Sequence, residues 1–73
     1  MNQEKHITEK LGRRVRKYRL SKGWSQMYLA AEARLDKSYI GSIERGEVNP
    51  SIRKIARIAD VLGIKVAEFF SDR

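Results

Sequence analysis

No arrangement of residues suited to covalent or redox chemistry stands out in this sequence, and what remains is the chemistry of charge and hydrogen bonding. Cysteine is absent, which excludes disulfides, thiol redox work and any zinc or iron–sulfur site built on thiolates. The one histidine, His6, lies in the N-terminal segment, so no His cluster exists for a metal or a catalytic triad. No nucleophile–base constellation and no phosphate-loop glycine pattern appears. Neither catalytic residues, nor metal ligands, nor a cofactor are therefore expected. Lys and Arg number 16 against 9 Asp and Glu, a net charge of +7 and a pI near 10.2, which favours a polyanionic partner. Within the chain Ser38 and Ser42 stand four residues apart, so a helix carrying both shows them on one face, one turn apart.

The charge is unevenly spread. Residues 1–23 balance to +6, residues 24–50 to −1 and residues 51–73 to +2. General attraction to a polyanion must come from the ends, and anything selective from the middle. The 73 residues are expected to form one domain with a small core, so a second subunit is a reasonable expectation. Apolar runs are far shorter than the roughly 18 residues that cross a membrane, and the N-terminus carries no apolar stretch of the secretory kind. A cytoplasmic, non-catalytic binding domain with no membrane partner is the expected class.

The elements that must position these side chains all read as helices. Ile7, Leu11, Val15 and Tyr18 recur at helical spacing over roughly residues 3–22, and Gly23 suits a left-handed stop. Ser25 is a good N-cap for a second helix to about Ala33, with Leu29, Ala30 and Ala33 inward. Asp36 offers a cap to a third helix over residues 37–45 that buries Ile40 and Ile43 and stops at Gly46. Asn49-Pro50-Ser51 forms a stiff loop, and Ser51 or Asn49 caps a fourth helix to Leu62, closed by Gly63. Val66, Phe69 and Phe70 suggest a short fifth. Helices two and three, with their tight link, have the proportions of a helix-turn-helix.

Residues Leu11-Gly12, Arg19, Gly23-Trp24-Ser25-Gln26, Leu29-Ala30, Tyr39-Ile40, Ile43-Glu44-Arg45-Gly46, Asn49-Pro50-Ser51 and Ile55-Ala56 through Leu62-Gly63 resemble the phage-repressor-like (Xre) helix-turn-helix family over about residues 10–70. The run from Leu35 to Ile40 ahead of Ile43-Glu44-Arg45-Gly46 is similar to controller proteins of restriction–modification systems. The resemblance implies an all-α, lambda-repressor-like five-helix DNA-binding domain, its helix-turn-helix over about residues 25–45 and its dimerisation region over about 52–70.

Roles follow from the resemblance residue by residue. Gln26 falls where the family presents a glutamine to the phosphate backbone, helped by the helix N-terminus; the alternative is a merely exposed polar residue. Lys37, Ser38 and Ser42 match outward positions of the recognition helix. Lys37 reads guanine O6 and N7 or grips a first-turn phosphate, and the serines read bases permissively. Tyr39 contacts phosphate, sugar or a thymine methyl, or else packs in the core. Arg45 grips phosphate, and Asn49 joins the DNA-binding set. Arg19 and Glu44 align with a buried ion pair between helices one and three, which makes Glu44 structural. Asp36 caps its helix or accepts from cytosine N4. Met27 and Tyr28 stand where the family often has acids, and Arg34 where it usually has glycine.

The fourth helix has more apolar surface than one core face uses. Ile52, Ile55, Ala56, Ala59 and Leu62 share one side at about 100° per residue. Ile58 lies at its edge and Val61 nearly opposite, which with Val66 and Phe70 suggests a dimer face. A two-fold dimer then reads a palindrome with half-sites roughly 10 bp apart. The expected function is a homodimeric, sequence-specific transcriptional regulator of a restriction–modification operon and its own gene, blocking or recruiting RNA polymerase. A prophage or chromosomal repressor and an antitoxin-type protein-interaction module are the alternatives.

Overall fold

A computed structural model describes residues 2–72, and all regular structure among them is helical. Helix α1 spans Gln3–Ser21, α2 Gln26–Ala33, α3 Lys37–Glu44 and α4 Ile52–Leu62, followed by a 3-10 helix, Val66–Phe69. The expected fifth helix is thus a single tight turn. Each α-helix starts and stops for local reasons. Asn2, Ser25 and Ser51 accept from the backbone N–H three residues on, at 3.0, 3.0 and 3.2 Å, and so satisfy orphan donors of α1, α2 and α4. Gly63 ends α4 with a φ of 74°, a conformation that costs glycine nothing. Asp36 stands at the N-cap of α3, yet its side chain makes no capping bond, contrary to expectation.

The core gathers Leu11 and Val15 of α1, Leu29, Ala30 and Ala33 of α2, Ile40 and Ile43 of α3, Ile55, Ile58, Ala59 and Leu62 of α4, and Phe69. Fully burying a side chain of the Leu or Ile class contributes about 1.5–3 kcal/mol, so this set is the main stabilising term. Helix α1 lies so close to α3 that a Cβ on Gly12 would collide with the carbonyls of Ile43 and Glu44. The C-terminal segment folds back onto α1. Arg14 donates to the carbonyls of Glu68 and Ser71 at 2.8 and 2.6 Å, and Lys10 pairs with Asp72, whose carboxyl it holds below the usual carboxylate range.

Four apolar assignments differ from expectation. Ile7 is 49% exposed rather than part of the α1 core stripe; it borders an open depression facing Gly46, Glu47, Val48 and Asn49. Ile52 is 66% exposed, since it begins α4 before the helix reaches the core. Ile58, expected on the dimer face, is 1% exposed: α4 turns the set 55, 58, 59 and 62 inward, so this side chain has no surface left for a partner. Val61 is half-buried against the core rather than opposite it. No helix among the described residues is long and apolar enough to cross a membrane.

Candidate nucleic-acid interface

Helices α2 and α3 are joined by residues 34–36. Arg34 ends α2 in the left-handed conformation, φ 58° and ψ 48°, which costs a non-glycine residue of order 1 kcal/mol. Its own N–H and that of Leu35 return to the carbonyls of Ala31 and Ala30, at 3.2 and 2.8 Å. Arg57 of α4 adds a clamp: its Nη1 donates to the carbonyls of Ala33 and Arg34 at 3.2 and 3.3 Å. A cation at a helix C-terminus is also favoured by the helix dipole, so Arg57 offsets part of the strain in the turn. Arg34 stays exposed.

The turn aims α3. Ile40 and Ile43 enter the core, and the opposite face carries Lys37 and Ser38, both exposed, half-buried Ser42 and, just past the helix end, exposed Arg45. Lys37, Ser38, Gly41, Ser42 and Arg45 line a hollow of about 280 Å³ together with Gln26 from the first turn of α2. Ser42 spends its hydroxyl proton on the Ser38 carbonyl at 3.0 Å, leaving the oxygen as an acceptor. Arg45 Nη2 is 3.5 Å from that oxygen, and Arg45 Nε pairs with Glu47 at 3.0 Å in the open. An exposed pair of this kind holds by about 0–1 kcal/mol, so the guanidinium is cheaply released to a phosphate.

Behind the hollow sits a buried electrostatic joint. Arg19 Nε donates to Glu44 Oε2 at 2.7 Å and Nη2 to Oε1 at 2.9 Å, a two-bonded fork between α1 and α3 with side chains 7% and 3% exposed. The hydrogen bond to Glu44 raises the Arg19 pKa further. Arg19 Nη1 donates to the Trp24 carbonyl at 2.7 Å, and Gln26 Nε2 donates to Glu44 Oε1 at 3.1 Å. Gln26 is half-buried and tied inward, not simply exposed.

Two residues of the expected DNA set lie outside the hollow. Tyr39 is half-buried against the core under the Lys54 ammonium, 4.6 Å above its ring, and lines an adjoining depression with Arg34, Leu35, Asp36 and Lys54. Asn49 is exposed in the loop before α4 and borders a third depression with Asn2 and with Glu4, Lys5, Ile7 and Thr8 of α1. Val66 and Phe70 are half-buried against the core. Among the described residues no group of three or more His, Cys, Asp and Glu could hold a metal ion.

Sequence reasoning missed three participants. Gly41 floors the hollow: a Cβ there would stand 3.1 Å from Arg45 Nη1 and 3.6 Å from Gln26 Oε1. Its signal was a mid-helix glycine, which costs about 1 kcal/mol relative to alanine and so asks for a reason. Arg57 and Lys54 act across tertiary contacts and leave no local signal.

Comparison with known proteins matches residues 15–69 to the helix-turn-helix family model HTH_3. The solved structure of the restriction–modification controller protein C.AhdI from Aeromonas hydrophila superposes with a TM-score of 0.84. It is 43% identical, and the match covers 86% of this chain and 96% of that one. The control protein C.MunI from a Mycoplasma species is 39% identical over 67 residues, 90% of each chain. SinR, an HTH-type transcriptional regulator of Bacillus subtilis strain 168, is 38% identical over 64 residues, 86% of this chain and 58% of SinR. The chain therefore spans well under two thirds of SinR. A crystal structure of SinR in complex with DNA has a TM-score of 0.79 and 39% identity, covering 84% of this chain and 98% of that one.

Proposed function

The chain belongs to the HTH_3 helix-turn-helix family, and on that premise we propose that it is a cytoplasmic, homodimeric transcriptional regulator that reads a palindromic DNA operator. The observation that carries this reading is the convergence of Gln26, Lys37, Ser38, Ser42 and Arg45 on one hollow while Ile40 and Ile43 anchor the same helix in the core. In the proposed complex α3 lies in the major groove. Lys37, Ser38 and Ser42 meet base edges, which carry the sequence information, while Gln26 and Arg45 meet phosphates, which fix the register. Tyr39 and Asn49 flank that contact. The basic surface contributed by residues 1–23 supplies general attraction, which salt weakens.

The dimer face combines the open parts of Val61, Val66 and Phe70. A two-fold axis there sets two α3 helices about one turn of DNA apart. The similarity to C.AhdI and C.MunI supports a controller role, in which the dimer governs a restriction–modification operon and its own gene by blocking or recruiting RNA polymerase. No catalytic role is part of the reading. The test is a binding titration with the DNA immediately upstream of its own reading frame against a scrambled duplex of equal length. Preference for the upstream duplex supports the controller role, and equal affinity contradicts it.

A further inference from the structure

We propose that Glu44, backed by Arg19, is a positioning residue for DNA contact: it fixes which end of the Gln26 amide faces the duplex. The inference rests on the DNA-binding reading above. A carboxylate accepts hydrogen bonds and donates none. Glu44 is 3% exposed at its side chain, and its Oε1 takes Gln26 Nε2 at 3.1 Å beside Arg19 Nη2 at 2.9 Å. The inward end of the Gln26 amide must then be its NH2 group. Arg19 in turn keeps the carboxylate from rotating, because its Nε holds Oε2 at 2.7 Å and its Nη1 holds the Trp24 carbonyl at 2.7 Å. Gly41 supplies the room, with Gln26 Oε1 3.6 Å from where a Cβ would stand.

The consequence is chemical. One Gln26 N–H is spent on Glu44, and the other remains for a phosphate oxygen. The carbonyl, now on the side of the hollow, repels phosphate but accepts from water or from an exocyclic base amino group. An unrestrained glutamine would offer either end and lose that freedom on binding. Because Arg19 neutralises Glu44, the acid directs the amide without setting a net negative charge beside the phosphates.

A double-mutant cycle in DNA affinity tests this on the full chain, with an operator duplex taken from in-vitro selection. Gln26→Ala is expected to weaken binding about tenfold, as for one hydrogen bond to a charged group. Glu44→Gln, which keeps the volume but pairs with either end of an amide, is expected to weaken it by a similar factor. The double variant is expected to lie within about twofold of Gln26→Ala, since Glu44 acts through Gln26. A Glu44→Gln loss of equal size with and without Gln26 overturns the proposal, because a structural role alone gives that result.

If Glu44→Gln fails to fold, Arg19→Lys, which keeps the charge and loses the fork, carries the same cycle. In the native protein one side-chain amide proton of Gln26 is expected to exchange more slowly than those of an exposed glutamine; free exchange of both overturns the assignment. A protein that selects an operator but loses nothing with Gln26→Ala overturns this inference and leaves the DNA-binding reading intact. A protein that selects no operator overturns both.

Discussion

Arg19 and Glu44 form a two-bonded ion pair, 2.7 and 2.9 Å, that joins α1 to the last turn of α3. Breaking one side of such a pair leaves an uncompensated buried charge. Arg19→Ala is expected to destabilise the fold by about 3–5 kcal/mol, seen as a large fall in melting temperature by circular dichroism. An unchanged melting temperature would contradict a structural role for the pair.

Arg57 and Arg34 carry opposite expectations at the turn. Arg57→Ala removes donors from two C-terminal carbonyls of α2 and is expected to cost about 1–2 kcal/mol. Arg34→Gly relieves the left-handed backbone and is expected to stabilise by up to about 1 kcal/mol. Urea denaturation of both variants checks the pair of signs. A loss with Arg34→Gly would show that the arginine side chain, rather than its backbone, matters there.

Lys37 opens the outward face of α3 and lines the hollow. Lys37→Ala is expected to weaken the selected operator by about 1–3 kcal/mol, the worth of a good base contact, and random DNA much less. Fluorescence anisotropy on the two duplexes decides it. Equal losses on both would reduce Lys37 to a phosphate contact.

The proposed dimer face is tested at Val66, the first residue of the 3-10 segment, half-buried and partly open. An acid there suits a helix start but not an apolar interface. Val66→Asp is expected to shift the protein toward monomer in sedimentation equilibrium at micromolar concentration while retaining its helicity. An unshifted mass would remove this residue from the interface.

Much of the fold was legible because its signals are local. Ser25, Ser51, Gly23 and Gly63 punctuate the chain, and the apolar spacing of Leu11, Val15, Leu29, Ile40 and Ile43 marks buried faces. Failure came where position along an axis, rather than around it, decided burial. Ile7 and Ile52 stand near the starts of α1 and α4, ahead of the first buried residues Leu11 and Ile55, and Ile58, expected at the edge of the α4 stripe, lies fully within it. Asp36 has a capping residue's type and place without its bond.

The site was legible in residue type rather than in connection. Lys37, Ser38, Ser42 and Arg45 follow from one helix face and the family resemblance. The pairing of Arg19 with Glu44 came from the resemblance alone, and the bond from Gln26 to Glu44 spans 18 residues. Nothing in local spacing announces it, because it exists through the crossing of α2 over α3.

On the proposed reading this protein recognises a palindromic sequence as a dimer. Selection from a random duplex library at near-physiological salt, where nonspecific attraction is screened, tests it most directly. A dimer of this kind is expected to enrich a palindrome with half-sites about one helical turn, roughly 10 bp, apart. Recovery of no motif from a well-folded sample would contradict it, leaving charge-driven binding alone.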